Sequence, residues 1–241
     1  MDREGRAGGV KVVGFLSGDH GEASMARVGE NDPTYARLVA AARAEFLNHG
    51  FAGATVASIA ANAGISKKTV YQYAASKEAL MYEVVSEACQ ELFSPIFKSG
   101  GADLPRSEIA RCLIKFCLLS TSEDGVTIHR LAIGEARQFP DMAKAYKHAL
   151  NTYVLEPMAA WVGWQNDFGR LRADDPRLAA EMLTSMVVNP YMRDLSLGVR
   201  SRPSREEVER VVNTALNLFY AGCATRMYDD TGPEGSRLAA K

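Results

Sequence analysis

The chain has no long apolar run. No segment approaches the ~18–20 residues that a membrane-spanning helix needs, so no transmembrane anchor is expected and a cytoplasmic location is. The patch from Val10 to Leu16 is interrupted by Lys11 and followed by acidic residues, which does not suit a signal peptide. Cysteine is scarce: Cys89, Cys112, Cys117 and Cys223 are all there are. None forms a C-x-x-C pair, and no histidine stands at zinc-ligand spacing from them. They read as reduced thiols filling core in a cytosolic protein. An excess of one charge is also missing. Lys and Arg number 28 against 29 Asp and Glu, for a net charge of −1. Such a chain has no global attraction for nucleic acid, so any such contact must come from a local patch. Catalytic motifs are absent: no H-E-x-x-H, no G-x-S-x-G, no Walker loop and no Gly-rich dinucleotide fingerprint. Four scattered histidines do not compose a metal site. Glu135 and Asp141 are close in sequence, but nothing sets them in a cleft. Neither an enzyme, a metal nor a cofactor is expected. Alternating strand patterns, repeats and heptad runs are missing too.

What is present is helix. The 241 residues are 47% hydrophobic, enough to pack one small domain and one larger one. The most informative stretch runs from Thr55 to Leu80. Thr55 is an N-cap type, and Val56, Ile59, Ala60 and Ala63 follow at helical spacing. Gly64 suits a left-handed C-cap. Ile65 plugs the turn, and Ser66 caps a second helix, Lys67 to Tyr73. That helix is too short to be stable alone, so Val70 and Ile65 must hold it against its predecessor. Its other residues, Lys67, Lys68, Thr69, Tyr71, Gln72 and Tyr73, are cationic or hydrogen-bonding. Lysines neutralise phosphates; Gln pairs with adenine and a Thr methyl meets a thymine methyl. A helix presenting this set suits the DNA major groove. From spacing alone, a solvated hairpin with surface lysines fits as well.

Ala63-Gly-Ile-Ser66, Thr69-Val-Tyr-Gln-Tyr73 and Ser76-Lys-Glu-Ala-Leu80 closely resemble the DNA-binding domain of the TetR family of transcriptional regulators. Leu38, Ala42, Phe46, Gly50-Phe51 and Thr55 extend the resemblance to about fifty residues. One departure is Ala74, where the family usually has Phe. The resemblance implies that the helix opened by Ser76 meets a phosphate through its N-terminal amides and Lys77, which agrees with the anion preference of helix N-termini.

The rest of the chain reads as follows. Residues 1–31 are a flexible arm, with Met25 a second candidate start. Residues 32–78 form the helix–turn–helix domain, opened by Asp32-Pro33 as cap and first helical position. Arg37 and Arg43 point outward. Residues 79–228 form a larger helical domain and 229–241 a flexible tail. The helix after Ser76 runs towards Phe93 and stops near Pro95; Lys98 to Pro105 is a linker. Helices then open at Ser107, run from Val126 to Gln138, and extend from Pro140 to about Gly163, with Pro157 as a bend. Asp175-Pro176 opens another, and Ser204–Glu207 is a capping box. Arg130 to Pro140 and Gly169 to Pro176 resemble the AefR-type C-terminal domain of the same family. That resemblance implies a homodimer through the last two helices, Pro176–Leu197 and Arg205–Ala224. It also implies a cavity for a largely apolar small molecule, for which Phe116, His129, Met142, Tyr146, Tyr153, Trp161 and Met186 are candidate lining residues.

The expectation is thus an all-α, two-domain, ligand-responsive regulator, a repressor on a pseudo-palindromic double-stranded DNA operator. Thr55, Lys67, Lys68 and Lys77 would mainly hold phosphates. Ser66, the cap of the reading helix, is a candidate DNA-binding residue with them. Thr69, Tyr71, Gln72 and Tyr73 would reach base edges or make close backbone contacts. Two other readings stay open: a ligand-independent activator or partner-dependent regulator, and an all-α enzyme with a DNA-docking module.

Overall fold

The computed structural model describes residues 32–98 and 104–225. The expected N-terminal arm and C-terminal tail lie outside the described residues, as does the middle of the linker. Everything described is helical except for turns and one antiparallel bridge, Leu171 to Ala224.

Helix α1 (Pro33–Gly53) begins where Asp32 Oδ1 accepts from the Thr34 amide at 2.8 Å. Its buried face is Leu38, Val39, Ala42 and Phe46. Gly50, at φ +71°, breaks the helical path. A left-handed backbone here favours glycine because it has no Cβ to clash. Helices α2 (Val56–Ala63) and α3 (Lys67–Tyr73) follow, joined through Gly64 at φ +66°. Ile59, Ala60 and Val70 lock the pair against α1. Burying each larger aliphatic chain contributes about 1.5–3 kcal/mol, which is what holds so short a helix as α3 in place.

Helix α4 (Lys77–Cys89) leads out of this unit from its Ser76 cap. It ends before Phe93, earlier than expected, in a tight turn from Cys89 O to Leu92 N. The short α5 (Ser94–Lys98) then takes Pro95 into its first turn, where a missing N–H costs nothing.

Helix α6 (Arg106–Ser120) starts one residue before Ser107, after an uncapping Pro105. Helix α7 (Glu123–Gly134) is capped by Ser122 and stops short of Gln138. A side chain at Gly125 would collide with the carbonyl of Leu119, so α6 and α7 meet closely only because that residue is glycine.

The helix expected from Pro140 divides. Helix α8 (Pro140–Leu150) passes through a π-helical turn, Asn151–Leu155, into α9 (Glu156–Asp167). Pro157 has no N–H to continue the ladder, and the wider turn absorbs that loss. Gly163 does not end the helix; Gly169, at φ +67°, follows its true end. Helices α10 (Pro176–Ser196) and α11 (Arg205–Cys223) complete the fold, with Asp175 and the Ser204/Glu207 capping box as expected. Among the described residues, no helix is long and apolar enough to cross a membrane.

Candidate nucleic-acid interface and regulatory cavity

The reading head is built from local caps. Thr55 Oγ1 accepts from Ser58 N at 3.0 Å while Ser58 Oγ accepts from Thr55 N at 3.3 Å. Ser66 Oγ accepts from Thr69 N at 3.0 Å and lies 2.9 Å from Thr69 Oγ1. Lys67, Lys68, Tyr71 and Gln72 stand exposed along α3, and Tyr71 keeps 55% of its surface. Glu45 ties α1 to α2 from below. It is buried, and its oxygens accept from Ser58 Oγ at 2.8 Å and Asn62 Nδ2 at 2.5 Å. A lone carboxylate on the otherwise apolar face of α1 was the signal for it.

Two residues expected at DNA also bond inside the protein. Tyr73 donates its hydroxyl to Asp32 Oδ2 at 2.7 Å, joining the end of α3 to the start of α1. This bond holds the Asp32 carboxyl below its ordinary range and pushes the Tyr73 phenol up. Lys77 Nζ donates to the carbonyls of Phe51 at 2.5 Å and Ala54 at 2.9 Å. It also lies 4.3 Å from the centroid of the Phe51 ring. An ammonium has three donors, so two are committed to the corner that follows Gly50. Tyr73, expected at a base edge or in a close backbone contact, and Lys77, expected at a phosphate, thus act as braces within the chain.

The same corner is held from the other side. Glu135, just past α7, accepts from Phe51 N at 3.2 Å and Ala52 N at 2.8 Å. Phe139 stacks edge-on against Phe51 with ring centroids 5.2 Å apart. Residues 50–54 thus sit between α4 and the end of α7, a clamp that no sequence motif announced.

Above α4 lies a cavity of about 310 Å³. Its floor is Val84, Val85, Ala88 and Cys89 of α4; Phe116, Leu119, Ile128 and Leu150 supply most of its apolar wall. Arg43 reaches it from α1, paired there with Glu87. Its polar groups include Ser185, Asn189 and the pair His129–Tyr146, whose Nδ1 and hydroxyl oxygen are 3.1 Å apart. Burial depresses the His129 pKa, so the ring favours its neutral form, and raises that of Tyr146. Burial also pushes the Cys89 thiol up to about 12, which makes it an inert wall. His129, Asn189 and Met192 line a second, outer groove as well, with Ile133 and Leu197. These three residues stand between the two spaces.

Of the residues expected to line a ligand cavity, Phe116, His129 and Tyr146 line this one. The other four are not part of the cavity wall. Met142 and Trp161 are fully buried in the core, with Trp161 packed on Phe219 and Tyr220. Tyr153 lies beside Tyr82 in the π-helical turn, and Met186 packs against the core from its edge. Arg43, read as outward-facing, lines the cavity instead.

Two family profiles match the chain. One, for bacterial regulatory proteins of the tetR family, covers residues 38–84. The other, for the C-terminal domain of AefR-like transcriptional repressors, covers residues 108–224. The chain belongs to the TetR family.

Structural comparison agrees with that assignment. A TetR-family transcriptional regulator from Mesorhizobium loti MAFF303099 is 24% identical, with a TM-score of 0.66 over 80% of this chain and 97% of the other. FadR of Bacillus subtilis, solved with stearoyl-CoA, is 18% identical with a TM-score of 0.59, covering 78% and 98%. SmeT, repressor of the Stenotrophomonas maltophilia multidrug efflux pump SmeDEF, is 20% identical with a TM-score of 0.53, covering 81% and 94%. These likenesses are of fold. No curated protein sequence matches the chain. As a TetR-family member it is a DNA-binding transcriptional regulator rather than an enzyme. Regulators of this family dimerise and bind small molecules. On this TetR-type fold, Leu178 and Met182 of α10 and Leu218 of α11 stay 48%, 58% and 62% exposed in the single chain.

Proposed function

We propose that the protein is a homodimeric repressor of a pseudo-palindromic operator, released when a small, largely apolar molecule enters the cavity. The observation that carries this reading is the span of α4. Its Ser76-capped start abuts the reading head, and its middle floors the cavity through Val84, Val85 and Ala88. A ligand there presses on the same rigid element that places α3.

On this reading, α10 and α11 pair with their copies through Leu178, Met182 and Leu218. The two α3 helices enter successive major grooves, about one helical turn apart or somewhat more. Lys67, Lys68, Thr55 and the amides at the start of α4 hold phosphates. Gln72, Tyr71 and Thr69 meet base edges, and Ser66 fixes the start of the helix that carries them. The domain division at residues 32–78 and 79–228 belongs to the same reading. Induction requires coupling of typically ~1–3 kcal/mol, and operator must weaken the ligand equally.

Repeated selection of purified protein against a random duplex library tests the operator. A two-fold symmetric consensus is the expected product. Recovery of no preferred sequence, or of an asymmetric one bound by a monomer, overturns the proposal.

A further inference from the structure

The segment from Arg130 to Phe139 is held at both ends. At its start the Arg130 guanidinium donates through Nε to the Ser196 carbonyl and through Nη2 to the Leu195 carbonyl, both at 2.9 Å. These are among the last carbonyls of α10, which have no helical N–H beyond them. A cation there also meets the negative end of the helix dipole. Gly198, at φ +71°, turns the chain away just after them, and a Cβ on it would lie 3.5 Å from Nη2. At the far end, Glu135 accepts from the Phe51 and Ala52 amides, and Phe139 lies against the Phe51 ring.

Five residues separate Arg130 from Glu135, roughly 7.5 Å along a helix. The backbone between them is the last turn of α7. A fixed point on α10 thus becomes a fixed point on residues 51–54, which lead directly into Thr55 and the reading head. Arg130 is exposed, so its bonds add little to stability. What they add is register. Apolar packing of one helix on another tolerates sliding, whereas a planar guanidinium forked onto two consecutive carbonyls does not. Helix α10 also carries the exposed Leu178 and Met182, the side chains assigned above to the partner subunit.

We infer, resting on that homodimer reading, that Arg130 is a positioning residue for DNA recognition. With Glu135 it makes the end of α7 a strut from the dimer helix to the reading head, and so fixes the half-site spacing that the dimer accepts. The path bypasses α4.

A nitroxide on Ala61→Cys, an exposed position of α2, reports the separation of the two reading heads in the full-length dimer by double electron–electron resonance. Cys223 is replaced by Ser for this purpose; the other three cysteines are buried. The parent chain should give one narrow distance. Arg130→Met and Arg130→Lys should each roughly double its width, Lys because it cannot fork onto two carbonyls. Glu135→Ala should match them, and joining it to Arg130→Met should broaden the distance no further. A strut cut twice is no looser than one cut once, whereas independent supports would add. On the duplex consensus recovered by selection, one base pair inserted between the half-sites should weaken the parent roughly tenfold and the Arg130 variants less than about threefold. A merely stabilising Arg130 would move the melting temperature and leave that spacing preference alone. Width and spacing preference unchanged in both Arg130 variants, or broadening that adds in the double variant, overturns the inference. A parent chain without any dipolar signal refutes the homodimer itself, and the strut falls with it.

Discussion

Removing the Glu135 carboxylate should release the corner that joins the reading head to the regulatory domain. That carboxylate accepts from the amides of Phe51 and Ala52, at 3.2 and 2.8 Å. Hydrogen bonds to a charged group contribute about 1.5–3 kcal/mol each when shielded. Ala52 is exposed, so water replaces the carboxylate at its amide once Glu135 is removed, whereas Phe51 is fully buried. The smaller end of the range for one bond, plus a few tenths for the other, gives about 2 kcal/mol for Glu135→Ala. That is roughly a thirtyfold larger population of the undocked corner. Glu135→Gln keeps one acceptor oxygen but sets an NH₂ against an amide N–H, so about 1 kcal/mol is expected. Amide hydrogen exchange measured by NMR reads this directly: protection at Phe51 and Ala52 should fall in that order, with the core of α11 unaffected. Gly50→Ala supplies a cross-check. A Cβ there would lie 3.1 Å from Glu135 Oε1 on a backbone at φ +71°. Its cost should shrink in the Glu135→Ala background, leaving only the backbone strain. Exchange at Phe51 unchanged in both Glu135 variants would refute the reasoning, because Lys77 and the Phe51 ring would then hold the corner alone.

Other outcomes follow from the reading head, the dimer face and the cavity. Lys68→Ala should weaken binding to all duplexes and flatten the salt slope of the dimer by about two units, one per copy; Gln72→Ala should instead relax preference at one base pair per half-site, by about 1–3 kcal/mol, seen by repeating the selection. Tyr73→Phe should lower the melting temperature and leave base preference as it was, since its hydroxyl is bonded to Asp32; a changed consensus would make that hydroxyl a base contact. Met182→Glu combined with Leu218→Glu should give a folded monomer in sedimentation that no longer retains operator. The neutral His129 gives a pH signature. Its folded pKa lies below the ordinary 6.5, so between the two values the unfolded chain binds the extra proton and stability falls as pH falls. Denaturant midpoints should therefore decline below about pH 6.5 more steeply in the native chain than in His129→Phe.

The caps were legible because a cap is a contract among four consecutive residues. Asp32, Thr55, Ser66, Ser76, Asp175 and Ser204 all do what their side chains announce. So was the buried face of α2 and α3, where Ile59, Ala60 and Ala63 recur at helical spacing and Val70 is the lone aliphatic of the next helix. The braces were not. Tyr73 looks like its exposed neighbour Tyr71 until its partner, 41 residues away, is known. Lys77 and Glu135 both act on carbonyls and amides of residues 51–54, and backbone groups carry no sequence signal at all. The cavity failed for a related reason. Met142 and Trp161 show the same apolar periodicity as Phe116, and nothing in that pattern distinguishes a filled core from an empty one. Arg43 belongs to the DNA-binding unit in sequence, so its place in the wall became visible only once α1 and α4 were seen together.

The two long-range features meet at one place. Helix α7 carries Ile128 and His129 at the cavity, and Glu135 lies six residues beyond His129, roughly 9 Å along a helical path. Helix α4 carries Val84 and Ala88 at the floor and Lys77 at its first turn. Both helices end on residues 51–54, one on the amides and the other on the carbonyls. The Phe51 amide bond, at 3.2 Å, is already near the long end of hydrogen-bonding distance. A displacement of α7 by about 1 Å would therefore break it. Loss of that single contact is worth about 1.5 kcal/mol, within the ~1–3 kcal/mol that allosteric coupling commonly spans. No large rearrangement is then needed for release. A ligand that fits the cavity only with α7 slightly withdrawn would favour the undocked corner by that difference, and a ligand indifferent to the position of α7 would shift nothing however tightly it bound.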